Sequence, residues 1–238
     1  LHRKLSNTTD SSDHFLWPKT IENYPLVQTP DSVFQLSDPF EKMADNNGLY
    51  PVVDSANWVL RLAQAGIKTI QLRVKHANEK ELREEIQRSV TLARDYDLQL
   101  FINDYWELAI EYGAYGVHLG QEDLVKADLV EIRQAGLRLG ISTHGDFELL
   151  TALQCKPSYV AVGAIYPTQT KDMSGKIQGL TRLKRYVSMA GDIPVVAIGG
   201  IDSSNLTDVL GTQVPLVAVV SAVTHADNPE QAAHQMDA

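Results

Sequence analysis

The stretch YGVHLGQEDL, residues 115–124, compresses a strand, a turn and a helix start into ten positions. The apolar run that ends at Leu119 reads as a buried β-strand. Gly120 ends it, and Gln121, Glu122 and Asp123 follow just before a helical pattern begins. An acidic cluster at a strand end points to a metal or another cation.

An earlier twin, LFINDYWELA (residues 100–109), repeats the arrangement. The apolar run 98–102 also ends in an amide and a carboxylate, Asn103 and Asp104, with a helix-like segment at 106–112. Parallel strands joined by helical crossovers place their C-terminal ends on one face. On that geometry Asp104 and Asp123 reach one ion although nineteen positions separate them. The alternative for each is a helix N-cap, where Asp is favoured.

Outward from this pair the same alternation fills the chain. Strand-like runs are expected at 49–53, 69–73, 98–102, 116–119, 138–141, 159–162, 194–198 and 216–220. Helical patterns occupy 57–65, 79–96, 106–112, 124–135, 146–154, 180–189, 204–210 and 230 to the end. Eight β/α units predict an α/β fold, a TIM (β/α)8 barrel with an N-terminal extension, its active site at the C-terminal strand ends. An open doubly wound sheet would carry a glycine-rich phosphate turn after its first strand. Here that loop is Asp54, Ser55, Ala56.

Residues 1–47 read differently. They hold the clusters SNTTDSSD and MADNNG, four prolines and no clear period, which describes an N-terminal extension or interdomain linker ahead of a catalytic domain at 48–238. The aromatics Phe15, Trp17, Tyr24, Phe34 and Phe40 are too many for a purely solvated segment, so part of it is expected to lie on the surface of the following domain or to belong to a neighbouring one. Deleting residues 1–45 is expected to leave kcat nearly unchanged at a modest cost in stability. The chain starts at Leu1, so the native N-terminus is expected to be missing or processed.

With 238 residues, 44% of them hydrophobic, the chain can bury one large core. A net charge of -9 argues against a nucleic-acid surface, which usually carries a basic stripe. The single cysteine, Cys155, suits a reducing compartment, and no apolar run approaches the roughly 20 residues a membrane span needs. A cytoplasmic protein with no membrane partner is the expectation, its oligomeric state open.

The polar residues after each strand form one list. QLRVK supplies Gln71, Arg73 and Lys75, which alternate onto one side if the strand runs that far. GISTHG supplies Ser142, Thr143 and His144, alternatively caps of the next helix. The loop GAIYPTQTKDMSGKIQG (163–179) carries Thr168, Thr170 and Lys171, and loops beyond about 12 residues are frequently functional lids. AIGGID and VVSAVT supply Gly199, Gly200 and Ser221 where barrels of this kind build a phosphate site. Carboxylates beside Arg and Lys would repel a bare phosphate, whereas Mg²⁺ with a diphosphate reconciles them.

With these residues assembled, the chain resembles the thiamine phosphate synthases from about Gly48 onward. The motifs that carry the resemblance are LYPVVDS, QLRVK, FINDYWELA, GVHLGQEDL, GISTH, YPTQTK, VAIGGI and AVVSA. The pair Tyr105-Trp106 departs from the commoner pattern, while Asn103 and Asp104 remain. The resemblance implies joining 4-amino-2-methyl-5-pyrimidinylmethyl diphosphate to a thiazole phosphate, with Mg²⁺ on Asp104 and Asp123. It implies diphosphate contacts from Arg73, Lys75, Asn103 and Lys171, and places Gln71 and Ser142 near the pyrimidine. Thr168, Thr170, Gly200 and Ser221 would hold the thiazole phosphate. Lys171, Ser142 and Arg73 are the expected catalytic groups, and His118 and His144 are assigned orientation or packing roles. Some relatives are fused behind a hydroxymethylpyrimidine (phosphate) kinase, and residues 1–47 are read as the connection to such an upstream domain. Two rivals are a thiazole-phosphate tautomerase and a non-catalytic regulator on the same scaffold.

Overall fold

Residues 38–44, 47–75, 77–168 and 177–237 are described by a computed structural model. Eight parallel strands close into one barrel in sequence order. They are β1 (Gly48–Val53), β2 (Thr69–Leu72), β3 (Gln99–Asn103), β4 (Gly116–Leu119), β5 (Arg138–Thr143), β6 (Tyr159–Gly163), β7 (Val195–Ile198) and β8 (Leu216–Val219). β8 returns to β1 with Leu49 opposite Val217. Crossover helices cover the outside: α1 (Ala56–Gln64), α2 (Glu79–Asp95), α3 (Trp106–Tyr112), α4 (Gln121–Leu124), α5 (Leu129–Gln134), α6 (Asp146–Gln154), α7 (Gly179–Ala190), α8 (Leu206–Leu210), α9 (Ser221–Thr224) and α10 (Pro229–Met236).

The strands read as near-continuous apolar runs because both faces are covered. Period two sorts their side chains. Ile70, Leu72, Leu100, Ile102, Val117 and Leu119 join the core between sheet and helices, while Tyr50, Val52, Phe101, Tyr159, Ala161, Val196, Leu216 and Ala218 fill the interior. Each fully buried aliphatic side chain contributes about 1.5–3 kcal/mol. Capping sharpens the helix starts: Asn78 accepts from the Glu81 amide while the Glu81 carboxylate accepts from the Asn78 amide, a reciprocal box that opens α2.

Three of the differences from the expected boundaries bear on the site. The helical pattern 124–135 is two helices, because the Asp128 carboxylate accepts from the amides of Val130 and Glu131 and starts a new helix there. The second strand stops at Leu72, so Arg73 and Lys75 lie beyond the ladder. The fifth strand runs on through Thr143, which puts Ser142 inside the sheet.

Of the stretch read as an extension, residues 38–44 pack against the N-terminal pole of the barrel. Phe40 and Met43 are buried, Phe40 among the outer core and Met43 in the interior cluster. The Ala44 amide donates to Gln99 Oε1 (3.0 Å) and to the Tyr115 hydroxyl (2.8 Å), at the starts of β3 and β4. Arg138 pairs with Glu41, and the Ser158 hydroxyl donates to the Glu41 carbonyl at 2.6 Å. Residues 1–37 and 45–46 lie outside the described residues.

Candidate active site

Asp104 follows β3, and Asp123 lies in the first turn of α4 after β4. Neither is a helix cap: the N-cap of α3 is Tyr105 and that of α4 is Gly120. Asp104 takes a left-handed backbone (φ 68°), with its amide donating to the His118 carbonyl at 2.9 Å. The two acids meet. Burial, then the charge of Asp104 and a hydrogen bond between the carboxyls, hold Asp123 above the usual carboxylate range, against Lys126 and Lys75. Lys75 Nζ reaches Asp104 Oδ2 at 2.6 Å.

This pair fits a hard divalent cation. Two carboxylates are what Mg²⁺ typically takes from protein, its remaining positions going to water and phosphate oxygens. Among the described residues no group of three or more His, Cys, Asp or Glu gathers round one point, so a closed zinc-type shell is absent there. Next to the pair, Asn103 is buried and its Nδ2 has no hydrogen-bond partner. A buried amide donor left open costs free energy unless something accepts from it, and a ligand oxygen at this strand end would do so.

Gln71 points into the barrel from β2, and its Nε2 lies 3.5 Å from the Tyr50 hydroxyl. Arg73 is half-buried just past the strand, its amide donating to the Val53 carbonyl at 2.7 Å. Ser142 Oγ is 2.7 Å from His118 Nε2, and the Ser142 carbonyl accepts from Gln121 Nε2 at 2.6 Å. Neither Ser142, Thr143 nor His144 caps α6, whose N-cap is Gly145. Instead the Thr143 hydroxyl donates to the Ala161 carbonyl, and the His144 amide donates to Glu148.

On the far side of the mouth, Gly200 has φ 68°, and a Cβ there would stand 2.5 Å from the Pro167 carbonyl oxygen. Only glycine lets the β7 turn lie this close to the segment leading to Thr168. Thr168 is half-buried, and Ser221 is the exposed first residue of α9, at the end of β8. Thr170 and Lys171 lie outside the described residues. A hollow of about 400 Å³ between Gly48, Lys68, Thr69, Pro215 and Asp237 sits at the opposite pole and gathers none of these residues.

Sequence reading missed the aromatic hydroxyls inside the barrel. Tyr50 and Tyr159 are fully buried, 2.8 Å apart at their oxygens, and Tyr159 also meets His118 Nδ1 at 2.7 Å. The signal was present. Alternation along β6 puts Tyr159, Ala161 and Gly163 on one face, and Gly140 stands opposite Tyr159 in the ladder.

A closed parallel barrel whose strand C-termini carry carboxylates, cations and glycine turns has the architecture of a TIM-barrel enzyme. The chain belongs to the thiamine monophosphate synthase family, whose profile matches residues 49–223. It is 51% identical over 201 residues to the thiamine-phosphate synthase of Serratia proteamaculans, covering 84% of this chain and 95% of that protein. It is 54% identical over 198 residues to the thiamine-phosphate synthase of Photorhabdus laumondii subsp. laumondii, covering 83% and 92%. Among solved structures, thiamine phosphate pyrophosphorylase from Pyrococcus furiosus superposes with a TM-score of 0.71 at 31% identity, over 81% of this chain and 94% of that one. The 3-hexulose-6-phosphate synthase from Salmonella typhimurium, at 15% identity and a TM-score of 0.59 over 80% and 96%, shares the fold. The chain is therefore a transferase of thiamine biosynthesis. Among the described residues no helix is long and apolar enough to cross a membrane.

Proposed function

We propose that this chain couples 4-amino-2-methyl-5-pyrimidinylmethyl diphosphate to 4-methyl-5-(2-phosphoethyl)thiazole, or to its carboxylated form, with release of diphosphate. The observation that carries this reading is the facing pair Asp104 and Asp123 beside Lys75 and the open amide of Asn103. Two acids that repel one another among cations make sense as half of a metal–diphosphate site. Asp104 and Asp123 would hold Mg²⁺. Bound there, the metal would supply positive charge against the departing diphosphate.

The chain's own groups do the rest. Arg73, Lys75, Asn103 and Lys171 offer donors to diphosphate oxygens, and fixed donors aimed where charge develops stabilise a leaving group. Departure leaves a methylene cation stabilised by the aminopyrimidine, which the thiazole nitrogen captures. No strong base is needed. Gln71 and Ser142 hold the pyrimidine end, while Thr168, Thr170, Gly200 and Ser221 hold the thiazole phosphate, so the nucleophile waits in line.

The test is diphosphate release with both substrates present, with and without Mg²⁺. Release only in the presence of both substrates and metal is expected. Turnover of the thiazole phosphate alone would favour a tautomerase, and binding without turnover a regulator.

A further inference from the structure

A chain of polar groups crosses the barrel interior below the site. Gln71 Nε2 lies 3.5 Å from the Tyr50 hydroxyl, Tyr50 Oη 2.8 Å from Tyr159 Oη, Tyr159 Oη 2.7 Å from His118 Nδ1, and His118 Nε2 2.7 Å from Ser142 Oγ. Five strands contribute one link each: β2, β1, β6, β4 and β5. Burial holds both phenols above their ordinary pKa, so each keeps its proton.

One direction of the protons lets the buried Tyr50 and Tyr159 hydroxyls each both accept and donate within the chain. The Gln71 amide nitrogen can only donate, so the Tyr50 oxygen accepts from it. The Tyr50 proton then goes to Tyr159, and the Tyr159 proton goes to His118 Nδ1. An imidazole whose Nδ1 accepts carries its proton on Nε2, because the bond at one ring nitrogen sets the state of the other. The Nε2–H donates to Ser142 Oγ, which leaves the Ser142 proton directed away from His118.

We infer that Tyr159 and His118 are positioning residues: Tyr159 locks His118 as the Nε2–H tautomer, and His118 makes the Ser142 hydroxyl a donor to whatever acceptor enters the mouth. The second half rests on the reading of Ser142 as a substrate contact. Such a donor suits a ring nitrogen or a phosphate oxygen and rejects an amino group. Local packing supports the lock. The His118 and Tyr159 rings stack at 22°, with centroids 5.7 Å apart. A Cβ on Gly140 would fall 2.1 Å from Tyr159 Cζ and 2.3 Å from its oxygen, so the tyrosine reaches His118 only because residue 140 lacks a side chain.

The tautomer can be read directly from two-bond ¹H–¹⁵N correlations of the full chain labelled with ¹⁵N-histidine, His118 being assigned by its absence in His118→Asn. A proton on Nε2 with a bare Nδ1 is expected. A proton on Nδ1, alone or with one on Nε2, would overturn the inference, and the measurement needs no altered residue in the chain that is read. Kinetics test the consequence. Tyr159→Phe should lower kcat on the order of tenfold, the scale of one hydrogen bond, with little change in KM for the thiazole phosphate. Gly140→Ala should do the same by displacing the Tyr159 ring. Adding Tyr159→Phe to Ser142→Ala should cost little more than Ser142→Ala alone; losses that multiply in full would show the two residues act separately and overturn the link. Full activity in Ser142→Ala would remove the substrate contact, while the spectrum would still decide the tautomer.

Discussion

Asp104 and Asp123 face one another at neutral pH with Lys75 paired to Asp104 and Lys126 acting on Asp123, and the cost of that arrangement is measurable. Asp123 binds its proton more tightly folded than unfolded. Its contribution to stability is therefore fully present below the unfolded pKa and lost as pH rises through the raised folded value. At pH 7 the metal-free protein carries the repulsion, so Asp123→Asn should raise its Tm in scanning calorimetry. Mg²⁺ should raise the Tm of the unaltered protein and leave that of Asp123→Asn nearly fixed. Equal metal-free melting points would mean that the acids do not repel. In turnover, Asp104→Asn and Asp123→Asn should each lose Mg²⁺-dependent activity with the circular dichroism spectrum intact; full activity at limiting Mg²⁺ would remove the metal assignment. Lys171→Ala should lower kcat on the order of 10²-fold, the scale for one transition-state contact. An effect confined to KM for the thiazole phosphate would move that lysine to the other pocket.

At the scale of elements, the turn after β7 is the most constrained joint of the site. Gly200→Ala forces a side chain into φ 68° and against the Pro167 carbonyl, strain on the order of 1–3 kcal/mol. The expected outcome is a lower Tm together with a raised KM for the thiazole phosphate; an unchanged KM would separate this turn from phosphate binding. All eight strands were legible because burial on both faces writes short apolar runs, and the carboxylate at each of two strand ends followed from their common direction. Helix breaks were less legible. The apolar period runs straight through 124–135, and a single local cap at Asp128 overrides it. The relay from Gln71 to Ser142 was not legible, because period two assigns a side chain to a face and says nothing about its partner across the ring. Tyr50 and Tyr159 are 109 positions apart in sequence and touch only when the barrel closes.

For the whole molecule, the segment 38–44 is a structural part of the barrel, and a deletion through residue 45 would remove it. It lacks any period, so its sequence reads as a tail, yet Phe40 and Met43 each fill a buried site. Phe40→Ala should therefore destabilise by about 3 kcal/mol and Met43→Ala by about 2 kcal/mol, with kcat unchanged wherever the protein stays folded. Denaturant unfolding would measure this, and a loss below about 0.5 kcal/mol for both, the range of ordinary surface changes, would show that the segment only rests on the surface. Its hydrogen bonds to Gln99, Tyr115 and Ser158 fall at the starts of β3, β4 and β6, and the Asp237 carboxylate accepts from the Leu49 amide at the same pole. Both approaches of the chain thus arrive on the hemisphere facing away from the carboxylates. A molecule tethered to a bead or fibre at position 38 would be held from behind, its mouth turned to the solution and its reactants free to come and go.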